Sequence, residues 1–260
     1  MRMFLFFIML LCFMISGLAM AVKDPDLIIY FTYEEVNGKV VPDKSGNGND
    51  GDINGNVKMV DGGKHGKAAE FQTGDFIDMR GPKFPENLIP RDAITVCAWV
   101  KCKKTGDHHE IFNAQAADAT WVVHPEVRSE GNFRWLLRSD GGVTIFEILA
   151  GAVEWDKWTH FAGTYDGKNG VLYINGESVG EGNGGAKIAK DWGSGARVGR
   201  TIDNARPFTG LMDDLNIWKR ALTKDEILVI MEKGPEGIIK GESVSPVGSM
   251  TTTWGQLKSY

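Results

Sequence analysis

The sequence predicts an all-β protein, a two-sheet antiparallel β-sandwich with one short C-terminal helix. In the segment 158–176 (W-T-H-F-A-G-T-Y-D-G-K-N-G-V-L-Y-I-N-G), two β-rich runs are separated by Asp-Gly and Asn-Gly turn signals. Glycine occupies 33 of the 260 positions, nearly twice the usual share. Turn signals recur about every dozen residues, which is the spacing of a sandwich or jelly roll rather than of alternating strands and helices.

Alternating apolar residues and turn signals predict the individual strands. Segment 92–101 alternates Ile94, Val96, Ala98 and Val100 with other residues, which predicts a strand with one face on the core. Asn175-Gly176 after the run 171–174 is typical of a type I′ hairpin turn. The remaining candidate strands are 27–33, a short pair within 68–79, 110–113, 120–124, 133–138, 143–149, 158–165, 196–199 and 211–218.

One helix is predicted near the C-terminus. Thr223 and Glu226 form a capping box, in which each side chain reaches the backbone amide of the other residue. Ile227, Leu228 and Met231 give the helix an apolar stripe, and Gly234 followed by Pro235 ends it.

The chain divides into three parts. Residues 1–21 are expected to be a signal peptide, because Arg2 precedes an apolar run and Ala19-Met20-Ala21 is a small-x-small cleavage site. The alternative is an uncleaved membrane anchor, and only then is a membrane partner expected. Residues 24–235 form the predicted domain. Residues 236–260 are a tail, partly ordered at most, in which Trp254 and Leu257 have apolar surface to bury.

Charge and cysteine content exclude several classes of function. The net charge of −5 and the lack of a basic run argue against a nucleic-acid partner. Cys97 and Cys102 lie five residues apart in a strand pattern, so their side chains point to opposite faces and should not form a disulfide. The sequence contains neither a G-x-S-x-G elbow nor a phosphate-binding glycine loop.

Three motifs together resemble the laminin-G-like jelly roll, bacterial type, of the concanavalin A-like lectin/glucanase superfamily. They are D-K-S-G-N-G-N-D-G at 43–51, W-T-H-F-A-G-T-Y-D-G at 158–167 and R-P-F-T-G-L-M-D-D-L-N-I-W-K-R-A-L-T at 206–223. The segments 66–71 and 92–100 match as well, so the resemblance covers roughly residues 26–232. It implies two packed antiparallel sheets, a frequent calcium site at one edge, and binding to glycans or extracellular partners more often than catalysis.

The loop 43–51 is the candidate calcium site. Asp43, Ser45, Asn47 and Asn49 place oxygen-bearing side chains on alternate residues, and Gly48 permits a sharp turn. An EF-hand is excluded because the twelfth position is Asn54 and no helices flank the loop. A solvated turn remains the alternative. The resemblance suggests that further ligands come from Asp213 or Asp214 on the last strand and from Glu34 after the first.

The histidines give weaker signals. His108 and His109 are adjacent in sequence and would point to opposite faces of a strand, so a solvated loop is expected there rather than a zinc site. His160 lies within a buried strand pattern and is expected to be a hydrogen-bonded core residue. His65 and His124 fall in no pattern.

Catalysis is not expected. The glucanase branch of the superfamily uses the pattern E-x-D-x-x-E along one strand, and this sequence has no such triplet. A glycoside hydrolase therefore ranks last among the possible functions.

Exposed aromatic rings are the candidates for sugar contact, because sugar C–H faces stack on π surfaces. Trp121, Trp155 and Trp192 lie at or near loops, whereas the tryptophans within strand patterns are assigned to the core. Trp192, with Asp191 beside it in a glycine-rich rim at 180–195, and Trp155 are the expected ligand-binding residues. The sequence thus predicts a secreted, non-catalytic module that binds a carbohydrate or glycoconjugate, with calcium shaping one edge. The competing interpretation is an adhesive module that binds an extracellular protein.

Overall fold

The computed structural model describes residues 24–79 and 84–243. Within these ranges the chain forms seventeen strands. They are β1 (Leu27–Phe31), β2 (Val40–Val41), β3 (Gly51–Asn54), β4 (Lys58–Asp61), β5 (Lys67–Phe71), β6 (Phe76–Met79), β7 (Ile94–Cys102), β8 (His109–Glu110), β9 (Phe112–Gln115), β10 (Trp121–Val127), β11 (Asn132–Arg138), β12 (Thr144–Ala152), β13 (Thr159–Tyr165), β14 (Asn169–Ile174), β15 (Glu177–Asn183), β16 (Gly195–Val198) and β17 (Gly210–Trp218).

The strands form two antiparallel sheets. The eight-stranded sheet has the order β15-β14-β13-β7-β17-β5-β4, and β1 also pairs with β17. The nine-stranded sheet has the order β12-β11-β10-β9-β16-β6-β3-β2, and β8 also pairs with β10. Neighbours that are distant in sequence, such as β7 with β17, show that the chain crosses repeatedly between the sheets, as in a jelly roll. The predicted fold class is confirmed.

The main core lies between the sheets and follows the two-residue alternation of the strands. On β11, Phe133, Trp135 and Leu137 are buried in it. Trp135 packs directly on the backbone of β13, because a Cβ atom added at Gly163 would lie 2.6 Å from its ring. Trp135 Nε1 donates a hydrogen bond to the carbonyl oxygen of Thr164 at 3.0 Å. Glycine at position 163 therefore permits close packing of the two sheets.

The predicted hairpin and its turn are present. β13 pairs with β14 from Phe161 opposite Ile174 to Tyr165 opposite Gly170. Asn175 and Gly176 both have positive φ angles, 51° and 79°, as a type I′ turn requires.

Two helices follow β17, where the sequence predicted one. The first, α1 (Lys224–Lys233), begins at the capping box of Thr223 and Glu226. It covers the outer face of the eight-stranded sheet, where Ile227 and Ile230 join a second apolar cluster with Trp218. Gly234 has φ 68° and ends α1, but Pro235 opens a second helix, α2 (Pro235–Ile239), because proline is tolerated in the first turn of a helix.

Cys97 and Cys102 are free and buried on opposite faces, as expected from their spacing. Cys97 belongs to the outer cluster under α1, and Cys102 belongs to the core between the sheets. The expected signal peptide, together with Trp254 and Leu257 of the tail, lies outside the described residues. In the described part of the chain, no helix has the length and apolar character to cross a membrane.

Trp192 is a core residue, and the expectation of a free ring at this position is wrong. Its side chain is 1% exposed, and its ring packs at 5.1 Å from that of Phe84 and at 6.0 Å from that of Phe112. The segment 180–195 is also not one continuous rim, because β15 contains its first residues and Ile188 and Ala189 are buried. The spacing of glycines did not reveal that this segment turns back into the core.

Replacing Trp192 with alanine should therefore destabilise the fold. We expect Trp192→Ala to lower the free energy of unfolding by about 3–5 kcal/mol, the usual cost of removing a large buried aromatic side chain. Urea denaturation followed by circular dichroism would measure this loss. Trp155→Ala is the matched control, because Trp155 is only partly buried at the margin of the core. Equal and small losses in both variants would contradict the assignment of Trp192 to the core.

Candidate functional site

Acidic side chains gather at one edge of the sandwich, where β17 bulges. The pairing of β17 with β7 shifts register between Asp213 and Asn216, and Asp214 has a positive φ of 48°. This bulge lets the two consecutive aspartates serve one region instead of pointing to opposite faces of a regular strand.

Asp213 is held by the loop that precedes β5. Its Oδ2 accepts hydrogen bonds from the backbone amides of Lys64 and His65 at 2.8 and 2.9 Å, and its Oδ1 accepts one from the amide of Asp214. Burial, together with the charge of Asp214, raises the pKa of Asp213 to about 7. Burial and a neighbouring carboxylate both disfavour the ionised form of Asp213, so this side chain retains its proton to a higher pH than an exposed aspartate does.

Asp214 faces a pocket of about 310 Å³ whose lining includes Glu34, Thr32 and Glu236. Its Oδ2 lies 2.6 Å from His65 Nδ1, and its Oδ1 accepts a hydrogen bond from the Tyr30 hydroxyl at 3.2 Å. The hydrogen bond with Asp214 raises the pKa of His65.

The predicted calcium loop is hydrogen-bonded to β1. Asp43 Oδ1 accepts hydrogen bonds from the amides of Tyr30 and Ser45, and Oδ2 accepts from the Ser45 hydroxyl and the amide of Asn49. The side-chain amides of Asn47 and Asn49 donate to the carbonyl oxygen of Ile28 on β1. The Oδ1 of Asn49 is buried and receives no hydrogen bond from the described residues. With four donors on Asp43, the loop has the geometry of a structural turn.

The two halves of the predicted ligand set lie on opposite sides of β1. Asp43 bonds to the edge of β1 at Tyr30, whereas the other edge of β1 pairs with β17. Two strand spacings, about 10 Å, therefore separate the Asp43 loop from β17. The structure brings Glu34 and Asp214 to one pocket and places Asp43, Ser45, Asn47 and Asn49 apart from them.

A second charged cluster occupies the outer face of the nine-stranded sheet, centred on Glu126 of β10. Its Oε1 accepts hydrogen bonds from Arg128 and Arg134, and its Oε2 accepts from His124 Nε2 and Arg206. Burial alone would raise the pKa of Glu126, but the hydrogen bonds from His124 and Arg128 outweigh it and hold this pKa well below its usual range. Glu126 is thus a buried carboxylate that stays ionised.

Glu110 lies beside this group and is fully buried. Its Oε2 is 3.0 Å from His124 Nδ1, yet no described donor is directed at either carboxylate oxygen. Burial raises the pKa of Glu110 to about 7. For His124, burial is the largest single influence and lowers the pKa, but the charges of Glu110 and Glu126 and the hydrogen bonds with them together outweigh it, so the net shift is upward. Both shifts mean that the folded protein retains a proton on this pair to a higher pH than the unfolded chain does.

Among the described residues, Glu110, His124 and Glu126 form the group of three potential metal ligands whose atoms lie within 4.8 Å of one another. All four hydrogen-bonding positions on Glu126 are already taken by His124 and three guanidinium groups. The arrangement is therefore better described as a proton-sharing network than as a metal centre.

An aromatic ring and further guanidinium groups border this network. The Trp121 ring is partly exposed, and it stacks on His124 with the centroids 4.5 Å apart and the planes 9° apart. The guanidinium carbon of Arg206 lies 4.6 Å from the same ring. Arg138 donates a hydrogen bond to the carbonyl oxygen of Trp121, and Arg134 pairs with Glu147, which is 40% exposed. We call this set of Trp121, Arg134, Arg138, Glu147 and Arg206 the outer-face cluster.

Most of this buried network was not predicted from the sequence. His109 and Glu110 are completely buried, so the expectation of a solvated loop at 108–110 is wrong. The predicted strand at 120–124 ended too early. β10 continues to Val127, and it therefore places His124 and Glu126 on the same face. A longer strand would have revealed the His-x-Glu pair, but nothing in the sequence pointed to β8 as its neighbour.

The predicted ligand-binding residues lie elsewhere. Trp192 is in the core. The carboxylate of Asp191 accepts hydrogen bonds from the amides of Ala117 and Gly193, so it stabilises a turn. Trp155 is partly buried, with its ring 6.0 Å from that of His109. His160 is buried as expected, but its Nδ1 has no hydrogen-bond partner in the described ranges, and burial lowers its pKa to about 3.

Residues 80–228 match the family model of the Concanavalin A-like lectin/glucanases superfamily in its laminin-G-like form. The match covers more than half of the chain, and the protein belongs to this superfamily. The pentraxin-related protein PTX3 of Bos taurus is 23% identical over 176 residues, which is 61% of this chain and 45% of that protein. The chain thus spans less than half of the curated relative that it matches.

Solved structures share the fold at low sequence identity. The binding domain of Paraclostridial Mosquitocidal Protein 1 has a TM-score of 0.61 and 17% identity, covering 79% of this chain and 52% of that one. Domain 4 of the arabinanase AbnA from Geobacillus stearothermophilus, solved with arabinotriose, has a TM-score of 0.56 and 22% identity. The match covers 78% of this chain and 97% of that one. The receptor-binding domain of botulinum neurotoxin C/D mosaic serotype has a TM-score of 0.58 and 15% identity. The match covers 80% of this chain and 51% of that one. The first and third of these structures are named as binding domains, and the second contains arabinotriose; at such identities they show the fold alone.

The Glu110–His124 pair generates a pH prediction. The Glu110 carboxyl has a pKa of about 7 in the folded protein and of 4.5 in the unfolded chain. The folded state therefore binds the proton more tightly, and the stability that this proton contributes should be lost as the pH rises from about 4.5 to about 7. We expect a loss of about 3 kcal/mol from this group. Glu110→Gln should remove this part of the pH dependence, as measured by urea denaturation between pH 4 and 8.

The control is Glu147→Gln, since Glu147 belongs to the same face but is partly exposed. Comparing each variant with the wild type cancels the contributions of other titrating groups such as Asp213. An identical pH dependence in the wild type and Glu110→Gln would show that Glu110 holds no such proton.

Proposed function

We propose that this chain is a secreted, non-catalytic module that binds a carbohydrate or glycoconjugate through the outer face of its nine-stranded sheet. The observation that carries the proposal is the outer-face cluster, in which the partly exposed Trp121 ring is held by His124 and surrounded by guanidinium groups. The superfamily assignment and the binding domains among the structural neighbours support it.

The chemistry of this face suits a sugar. His124 and the Arg206 guanidinium already lie against the Trp121 ring, so the part of this side chain that remains exposed is what a pyranose or furanose ring would contact through its C–H groups. Arg138 and Glu147 offer a hydrogen-bond donor and an acceptor at the border of the cluster, which can fix the orientation of hydroxyl groups. Because Trp121 already stacks on His124, its ring loses little side-chain freedom when a ligand binds.

The state of the carboxylates in this network supports a non-catalytic role. Glu126 is engaged by four donors, and Glu110 is completely buried, so neither side chain is presented to a ligand as a nucleophile or a general acid. Secretion is proposed from the N-terminal segment 1–21, which has the pattern of a signal peptide.

The binding proposal is tested with Trp121→Ala. A glycan array should show retention by the wild type of at least one glycan class and a loss of about fivefold or more in the variant, since an aromatic contact contributes about 1 kcal/mol beyond the buried area. Trp155→Ala is the matched control, because Trp155 is partly buried outside this cluster, and it should bind normally. Equal retention by both variants, with normal melting temperatures, would overturn the assignment of the site.

We further propose that calcium supports the acidic edge through Glu34 and Asp214. Calcium takes six to eight oxygen ligands, and the pocket offers carboxylates of Glu34, Asp214 and Glu236 with the hydroxyl of Thr32. The excess of negative charge at this edge favours a cation. Two potential cations also line the pocket. Lys233 is paired with Glu242, and His65 is hydrogen-bonded to Asp214, so calcium would take the place of His65 on the Asp214 carboxylate.

Calcium should raise the melting temperature, because a ligand that binds only the folded state stabilises it by mass action. At a free calcium concentration one hundred times the dissociation constant, the free energy of unfolding should increase by about 2.7 kcal/mol. Asp214→Asn should abolish this rise. Asp43→Asn should lower the melting temperature through loss of the loop contacts but leave the calcium-dependent rise in place, because β1 separates Asp43 from the pocket. Scanning calorimetry with calcium or with chelator would measure both effects. A melting temperature that does not respond to millimolar calcium in the wild type would refute the calcium proposal.

A further inference from the structure

A groove of about 690 Å³ opens at the end of the sandwich where the last strands of both sheets lie. β4 is the last strand of the eight-stranded sheet and β2 the last of the nine-stranded sheet. Residues of both sheets line the groove, including Ile53 of β3 and Lys58 and Met59 of β4. The outer edge of β4 therefore offers backbone N–H and C=O groups that no described strand pairs with.

The groove is bordered by positive charge. Lys39, Lys58 and Lys67 line it, their side chains are exposed, and none of them forms an ion pair with the described residues. Two exposed carboxylates also line the groove. Glu35 is paired with Lys44, whereas Glu34 accepts a hydrogen bond only from the backbone amide of Lys67 and keeps its charge, so three lysines stand against one carboxylate that has no cationic partner among the described residues. The three lysines are thus available to an anionic partner.

The floor of the groove is apolar and aliphatic. Ile53 and Val57 are nearly buried, and Met59 is partly buried against the core. The residues that line this groove include no aromatic ring, so it lacks the stacking surface that favours a sugar. An open strand edge above an aliphatic floor instead fits an extended peptide, whose alternate side chains would reach the floor and the lysines.

Lysine on an edge strand has another established role, which is to prevent strands of other copies from pairing with it. That role accounts for Lys58 on β4. It also accounts for Lys39, which adjoins β2, the last strand of the other sheet. It does not account for Lys67, because β5 lies between β17 and β4 and is not an edge strand.

We propose that this groove binds an extended acidic segment of a partner protein, which adds to β4 as a further strand. Backbone hydrogen bonds to β4 would supply the general affinity, the aliphatic floor would accept every second side chain, and the three lysines would select acidic residues in between. This site is distinct from the outer-face cluster, and its occupancy does not depend on carbohydrate binding.

The test uses a fluorescein-labelled peptide of alternating acidic and aliphatic residues, Glu-Val-Glu-Ile-Glu-Val, and the full chain. Fluorescence anisotropy should show saturable binding. The triple variant Lys39→Gln, Lys58→Gln, Lys67→Gln should weaken binding about tenfold or more, since each exposed charge pair contributes up to about 1 kcal/mol. The matched control triple, Lys103→Gln, Lys104→Gln, Lys168→Gln, removes the same charge outside the groove and should leave binding unchanged.

A second probe separates strand addition from simple charge attraction. The same peptide N-methylated at alternate residues keeps its charges but cannot pair with a strand, and it should bind at least about tenfold more weakly. Equal binding of the methylated peptide, equal losses in both lysine triples, or absence of binding by the unmodified peptide would each overturn the proposal. Equally tight binding of chondroitin sulfate with the same lysine dependence would also overturn it, because the groove would then recognise charge rather than an extended peptide. Circular dichroism would confirm that both triple variants are folded.

Discussion

The burial of alternate residues of β10 and β11 between the two sheets is the constraint on which the rest of the structure depends. Phe133, Trp135 and Leu137 face the core, and Trp135 packs against the backbone at Gly163. Because strand side chains alternate, this packing fixes His124 and Glu126 of β10, and Arg134 of β11, on the outer face. A shift of one residue in either strand would move the charged groups into the core. The hydrophobic core therefore determines where the charged network forms.

That network shows how a fold can keep ionised groups away from water. Glu126 is surrounded by His124 and three arginines, so its charge is balanced and its lone pairs are occupied. Glu110 lacks such donors, and the protein compensates by retaining a proton on the Glu110–His124 pair. The stack of Trp121 on His124 links this buried chemistry to the surface. A partly exposed aromatic ring whose orientation is fixed by packing is the result.

Two neighbouring cavities of the sandwich have opposite electrostatic character. The edge formed by Asp213 and Asp214 concentrates carboxylates, whereas the neighbouring groove carries three lysines without ion pairs. Glu34 lines both cavities, since it follows β1 directly. A cation at the first and an anionic segment at the second would each relieve unbalanced charge. The sandwich can thus present separate surfaces to different ligands, as loops and edges on rigid β-scaffolds commonly do.

The sequence by itself determined the local structure: the strands with two-residue alternation, the Asn175-Gly176 turn, the capping box of Thr223 and the opposite faces of Cys97 and Cys102. These features depend on neighbours within a few residues, so their physical causes are visible in the chain. Only the tertiary structure decided that Trp192 is buried, that β1 separates Asp43 from Asp214, and that Glu110 and Arg206 meet at Glu126. These contacts join residues that are far apart in sequence and are set by the order of strands in the sheets. The periodicity of one strand carries no information about which strand lies beside it.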